Sequence, residues 1–155
     1  MIARTSGNFN RKGFTLIEIT IVIVIIALLI SMSVPFFGNL FTSMGLKVAA
    51  REISTTLRTA RSYAVARNDN HSVIFTSDGV TATPDIFYVT DSGGTMVDKG
   101  HKTNPGVSIT AATTITFVPS GGLDSGSATS VTAQNTKGDT IQVSVNSVTG
   151  MVEIQ

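Results

Sequence analysis

Residues 14–34 read FTLIEITIVIVIIALLISMSV and carry one formal charge, Glu18. Fourteen of these 21 residues are Leu, Ile, Val or Phe. As a helix at about 1.5 Å per residue the run is about 31 Å long, which matches a hydrocarbon core of about 30 Å. On an insertion scale the fourteen apolar residues favour the membrane by roughly 4–8 kcal/mol, against about 2.5–3.5 kcal/mol for one central carboxylate. Glu18 stands near the start of the run, where that cost is lower, so insertion is expected despite the acid. Arg11 and Lys12 directly precede the run, and short basic flanks stay on the cytoplasmic side. The chain beyond Val34 is therefore expected on the opposite face. No small-residue A-x-A pattern closes the run, which argues against a secretory signal peptide cut at its end.

Beyond the run, Pro35 lacks an N–H and its ring crowds the carbonyl of Ser31, so a helix kink is predicted there. Gly38 and Gly45 weaken the helix further. From Leu46 the pattern sharpens. Leu46, Ala50, Ile53, Leu57, Ala60 and Ala64 are spaced 4, 3, 4, 3, 4 and fall on one stripe of an α-helix. Lys47, Arg51, Glu52, Arg58 and Arg61 lie off that stripe and are expected on a solvated face. Asn68 to Asn70 supply turn residues, so the helix is predicted to end near Arg67.

From His71 the texture changes to short Val/Ile/Thr/Phe runs broken by Gly, Asp, Asn and Pro. HSVIFT, DIFYVT, VSIT, TITFV, SVTA, TIQVSV and MVEIQ read as about seven antiparallel strands, several alternating apolar with polar residues. PSGG and the Lys137–Gly138 pair read as turns. One sheet is expected to pack on the Leu46–Ala64 stripe. The fold class is α+β: a long N-terminal helix, half transmembrane and half amphipathic, packed on an antiparallel sheet or sandwich head.

Charge is distributed unevenly. Residues 1–13 carry +3, residues 36–67 carry +4 and residues 68–155 carry −5. That pattern of basic stem and acidic head differs from the uniform basicity of a nucleic-acid binder. The absence of cysteine removes disulfides and thiolate chemistry. His71, predicted in a strand, and His101, predicted in a loop, show no ligand spacing. Asp91 and Asp98, seven apart with Lys99 beside one, fall short of the six to eight oxygens calcium takes. No metal, cofactor or enzymatic activity is expected.

The stretch KGFTLIE, a basic leader followed by Gly, Phe and an apolar run with Glu fifth after the glycine, resembles the leader-peptidase site of type IV prepilins and pseudopilins. The resemblance implies cleavage between Gly13 and Phe14 by a prepilin peptidase, N-methylation of Phe14, and a role in assembly for Glu18. In such assemblies the carboxylate is thought to meet the N-terminal amine of a neighbouring subunit. Pairing with its own amine, or a side chain reaching to the headgroups, are the alternatives. The stem AAREISTTLRTARSYAVARN running into HSVIFT, then ITFVPSGG and the ending SVTGMVEIQ, are similar to the FimT/GspH branch. The expected organisation is leader peptide 1–13, transmembrane and assembly helix 14–35, amphipathic helix 36–67 and periplasmic β-rich head 68–155. Implied partners are other pilins or pseudopilins, the prepilin peptidase and inner-membrane lipid. The implied role is a minor pseudopilin of type II secretion; the alternatives are a minor type IV pilin priming or capping a pilus, or a tip subunit binding DNA or substrate. Some DNA-binding members carry clustered arginines after a glycine near the C-terminus. Here Gly150, Met151, Val152 and Glu153 stand in that place, so nucleic acid is not an expected partner.

Overall fold

The computed structural model describes residues 13–155 apart from 78, 80–82 and 112, with backbone but no side chains for 33–41. The element order is one helix, α1 (Leu16–Arg67), and eight strands: β1 (His71–Thr76), β2 (Ile86–Thr90), β3 (His101–Lys102), β4 (Val107–Ile109), β5 (Thr113–Phe117), β6 (Ser130–Asn135), β7 (Thr140–Val145) and β8 (Val152–Ile154). The chain divides into two units between Gly38 and Asn39.

In the first unit every large apolar residue from Phe14 to Met32 is exposed. A helix that exposes apolar side chains on all sides belongs in lipid or among other helices. Among the described residues no helix is long and apolar enough to cross a membrane. The expected span ends at Val34, whose side chain lies outside the described residues. The helix assignment passes through Pro35; the predicted kink falls where no side chain is described.

In the second unit all six residues of the predicted stripe are buried, joined by Ala49. Four alanines on that face let the backbone approach the head closely. The helix ends at Arg67 because Asn68 turns left-handed, with φ of 52°, a conformation asparagine tolerates better than most residues.

The head holds two four-stranded sheets, the sandwich form of the expected β head. Sheet A has the order β3-β2-β1-β5 and sheet B the order β4-β6-β7-β8. All pairings are antiparallel. Phe75, Phe87 and Phe117 from sheet A and Ile109, Ala133, Val143 and Val145 from sheet B join the helix stripe in a single core. Alternation told which residues of a strand turn inwards, but carried no information on which strands share a sheet.

One strand was missed. His101, expected in a loop, lies in the two-residue β3 opposite Phe87. Its ring stacks on Phe87, 5.4 Å between centroids and 14° between planes, and Phe87 in turn lies opposite Phe75, 5.8 Å away. This aromatic row across three strands supplies the pairing energy that two residues alone lack.

Three sheet margins are occupied by backbone or side-chain groups. On the outer side of β5, Asp124 N–H and Ala128 N–H donate to the Thr116 and Thr114 carbonyls, and Thr116 N–H donates to Ser127 Oγ. On the outer side of β4, Ile109 N–H donates to the Pro84 carbonyl at 2.7 Å and Thr103 Oγ1 donates to the Val107 carbonyl. Gln142 and Gln155 exchange both backbone bonds, so Val152 and Ile154 turn their main-chain groups away from β7. Arg58 donates to the Val152 carbonyl.

Candidate assembly site

Gly13, Phe14 and Thr15 precede the helix without regular structure. A Cβ built on Gly13 meets nothing within 4 Å, and Phe14 is 78% exposed. The Gly13–Phe14 bond is thus accessible among the described residues. Thr15 caps α1: its Oγ1 accepts from Glu18 N–H at 3.3 Å, and its carbonyl accepts from the Glu18 and Ile19 N–H groups. Thr15 and Glu18 carry the T-x-x-E spacing of a capping box, of which the Thr15 half is formed, a signal present in the sequence but overshadowed by the apolar run around it. Glu18 therefore sits in the first turn, where the helix dipole favours a negative charge.

The remaining polar side chains of this stretch look after themselves. Thr20 Oγ1 donates to the Leu16 and Ile17 carbonyls at 2.7 and 3.0 Å, and Ser31 Oγ donates to the Leu28 carbonyl at 2.8 Å. Hydroxyls returned to the helix backbone need no outside partner in an apolar medium. The Glu18 carboxylate has no such bond and no ion pair among the described residues. Phe14 and Glu18 lie about one helical turn apart, while Pro35 belongs to a different stretch of α1 and is not brought to them.

Lys47, Arg51, Arg58 and Arg61 are exposed, as expected of the off-stripe face, and two of these arginines also reach the head. Arg58 Nη2 donates to the Val152 carbonyl at 3.2 Å, and Arg61 Nε donates to the Gly121 carbonyl at 3.0 Å. Gly121 lies in the PSGG turn, and Gly150, with φ of 64°, lies in the turn before β8. A Cβ on Gly150 would stand 2.8 Å from Arg61 Nε and would overlap the Gly121 carbonyl. The helix, PSGG and SVTG stretches, far apart in sequence, thus meet around one guanidinium. On the other flank of α1, Val48, Arg51, Glu52 and Thr55 border a groove of about 470 Å³ whose far wall is Asp98 and His101.

The two aspartates weighed for calcium are engaged separately. Asp91 Oδ1 accepts from Gly93 and Thr95 N–H at 3.0 and 2.8 Å, closing its own turn. Asp98 Oδ2 stands 3.4 Å from His101 Nε2. Among the described residues no three His, Asp or Glu side chains gather to hold a metal.

At the far end of α1, Asp69 Oδ2 accepts from Ser92 Oγ at 2.8 Å and Oδ1 from Asn70 N–H at 2.9 Å. The Ser92 hydroxyl bond is the main reason its carboxyl is held below the ordinary carboxylate range. His71 is fully buried, beside Tyr63, whose ring carries the Arg67 guanidinium 4.9 Å from its centroid. His71 Nδ1 lies 3.1 Å from the Asp69 carbonyl, which can only accept, so Nδ1 carries a proton, and Nε2 is buried with no hydrogen-bond partner among the described residues.

A family model described as type II transport protein GspH matches residues 49–150, about two thirds of the chain. The chain belongs to the GspH family. A second model, the prokaryotic N-terminal methylation motif, matches residues 8–34, the stretch that holds Gly13, Phe14 and Glu18. No curated protein matches this GspH-family chain. Among solved structures it is similar to the type IV minor pilin FimU of Pseudomonas aeruginosa strain PAO1. In one crystal form the identity is 19% over 74% of this chain and 92% of FimU, with a TM-score of 0.55. In a second form the values are 20%, 71%, 92% and 0.49. At such identity the first likeness establishes fold alone: a helix on an antiparallel β head, as the pilin resemblance implied. The GspH-family core and the methylation motif together mark a pilin-like structural subunit.

Proposed function

We propose that this GspH-family chain is a minor pseudopilin, a subunit of a short periplasmic filament in type II protein secretion. Prepilin peptidase cuts between Gly13 and Phe14, and the new Phe14 amine is methylated. Residues 14–35 hold the subunit in the inner membrane, with Pro35 loosening the helix at the exit and the head in the periplasm. The Glu18 carboxylate then meets the Phe14 amine of a neighbouring subunit and sets the axial register while apolar stems pack together.

The observation that supports this reading best is the Glu18 carboxylate, without a partner among the described residues in a helix apolar on all sides. An acid in such a setting demands a cation, and the chain offers one on cleavage. Two further features favour the reading: the accessible Gly13–Phe14 bond, and hydroxyls at Thr20 and Ser31 already satisfied for a dry environment.

The test is mass spectrometry of the native protein combined with Glu18→Leu. The mature chain is expected to begin at a methylated Phe14, and the variant to be processed normally yet fail to co-assemble. A mature chain beginning at Met1, or undiminished assembly of Glu18→Leu, defeats the reading. Deletion assigns the system: loss of secretion points to a pseudopilus, and loss of pili with intact secretion to a minor type IV pilin.

A further inference from the structure

Beyond Met44 the outward face of α1 is cationic. Lys47, Arg51, Arg58 and Arg61 are exposed, and at about 100° per residue they fall within an arc of about 80°. None has an ion pair among the described residues. Arg58 and Arg61 each give one N–H to a head carbonyl and keep their other donors. Glu52, the one acid between Met44 and Arg67, is partly buried and turned about 100° from Arg51. Of the nearby acids on the head, Asp98 is paired with His101. Glu153 lies opposite Ser144 on β8, next to buried Val152 and so on the outer face of sheet B. Lys99 is a further exposed cation, and Arg67 stacks on Tyr63. Apolar side chains share the cationic half of the helix: Met44, Val48 and Val65 are 60%, 40% and 52% exposed.

Cations set among exposed apolar side chains are what a helix lying in an anionic lipid surface presents. An acidic protein would also answer the charge, but a bilayer is already at hand. The apolar run ends at Val34, ten residues before Met44, and a tether that short keeps the face at high effective concentration near the surface. Laying it down needs a bend in between, and that stretch holds Pro35 and Gly38 and the boundary between the two units. We infer that, before assembly, this face of α1 rests on the anionic headgroups of the membrane that holds residues 14–35. The inference rests on the membrane part of the proposed function, and it adds the resting place of the unassembled subunit. The guanidinium groups bond lipid phosphate, and Met44 and Val48 dip between headgroups.

The chain has no cysteine, so single labels report cleanly. Full-length protein is placed in bilayer discs of phosphatidylcholine, alone or mixed with phosphatidylglycerol, with a quencher on the lipid headgroup. A fluorophore on Thr55→Cys, exposed on the cationic side of α1, should be quenched about tenfold more in anionic than in neutral discs, and the excess should vanish in high salt. A fluorophore on Thr114→Cys, exposed beside buried Ile115 and so on the outer face of sheet A, should not respond. Lys47→Glu with Arg51→Glu removes two cations that make no bond to the head among the described residues and should abolish the excess. Discs of cationic lipid should restore quenching to that variant, which misfolding would not allow. Thr55 quenching that ignores lipid charge, or that Thr114 matches, overturns the inference. So does an unquenched Thr55 label while a Leu28→Cys label reports the acyl region, and the membrane reading then stands. A Leu28 label outside the bilayer defeats both. Cross-linking of Thr55 to an acidic protein in native membranes, with no response to lipid charge, gives the face to another occupant and overturns the inference.

Discussion

Arg61 Nε donates to the carbonyl of Gly121 at 3.0 Å, across sixty residues of sequence, and Gly150 lies directly beneath that bond. The contact makes Gly150 doubly constrained. Its φ of 64° costs a non-glycine residue about 1–2 kcal/mol, and a Cβ would press on both partners. Gly150→Ala is expected to lose more than about 2 kcal/mol, seen as a lower midpoint in thermal unfolding of the full chain in detergent.

Gly45 gives the opposite sign. It lies inside α1, and a Cβ there would come to 3.7 Å from Val107 Cγ2, an ordinary contact. Gly45→Ala should stabilise the head by about 0.5–1 kcal/mol through the entropy of the unfolded chain. The same melting experiment measures it.

Leu57 and Thr55 sit two residues apart on opposite faces of α1. Leu57 is fully buried, while Thr55 is exposed and donates to the Arg51 carbonyl. Leu57→Ala should cost about 2–5 kcal/mol, and Thr55→Ala should stay within about 0.5 kcal/mol of the parent. Denaturant titration of both variants checks the contrast.

Asp69 sets a pH dependence. Its folded carboxyl titrates below the ordinary range because Ser92 Oγ, and then Asn70 N–H, bond the charged form. A depressed folded value stabilises the protein above the unfolded value, and that contribution disappears as pH falls through the folded one. Ser92→Ala should move the Asp69 titration back up towards the ordinary value, as read by carbon NMR of the carboxyl group.

The His71 ring should carry a proton on Nδ1, since the Asp69 carbonyl beside it accepts only. Nitrogen NMR shifts of the ring check it; a bare Nδ1 contradicts the assignment.

The helix stripe was legible because Leu46 to Ala64 repeat with the helical period, and every predicted member is buried. The alternating strands HSVIFT and TIQVSV were legible for the same kind of reason. β3 was not, since two residues carry no period and His101 is held by a ring that the pairing of three strands brings to it. The Arg58 and Arg61 bonds were hidden because an off-stripe position reads as solvent, whereas a long side chain reaches sideways to a carbonyl. At the candidate site, Glu18 stood out by its charge alone, while the cap made by Thr15 was readable as T-x-x-E and lay in the shadow of the apolar run.

The occupied margins of β4 and β5, and the Arg58 bond on β8, constrain how heads can meet. A rim whose amides and carbonyls are already engaged offers little template for a neighbour's strand to zip onto. Copies that touch through those rims must do so by side chains, and a side-chain seam can open without unravelling either fold.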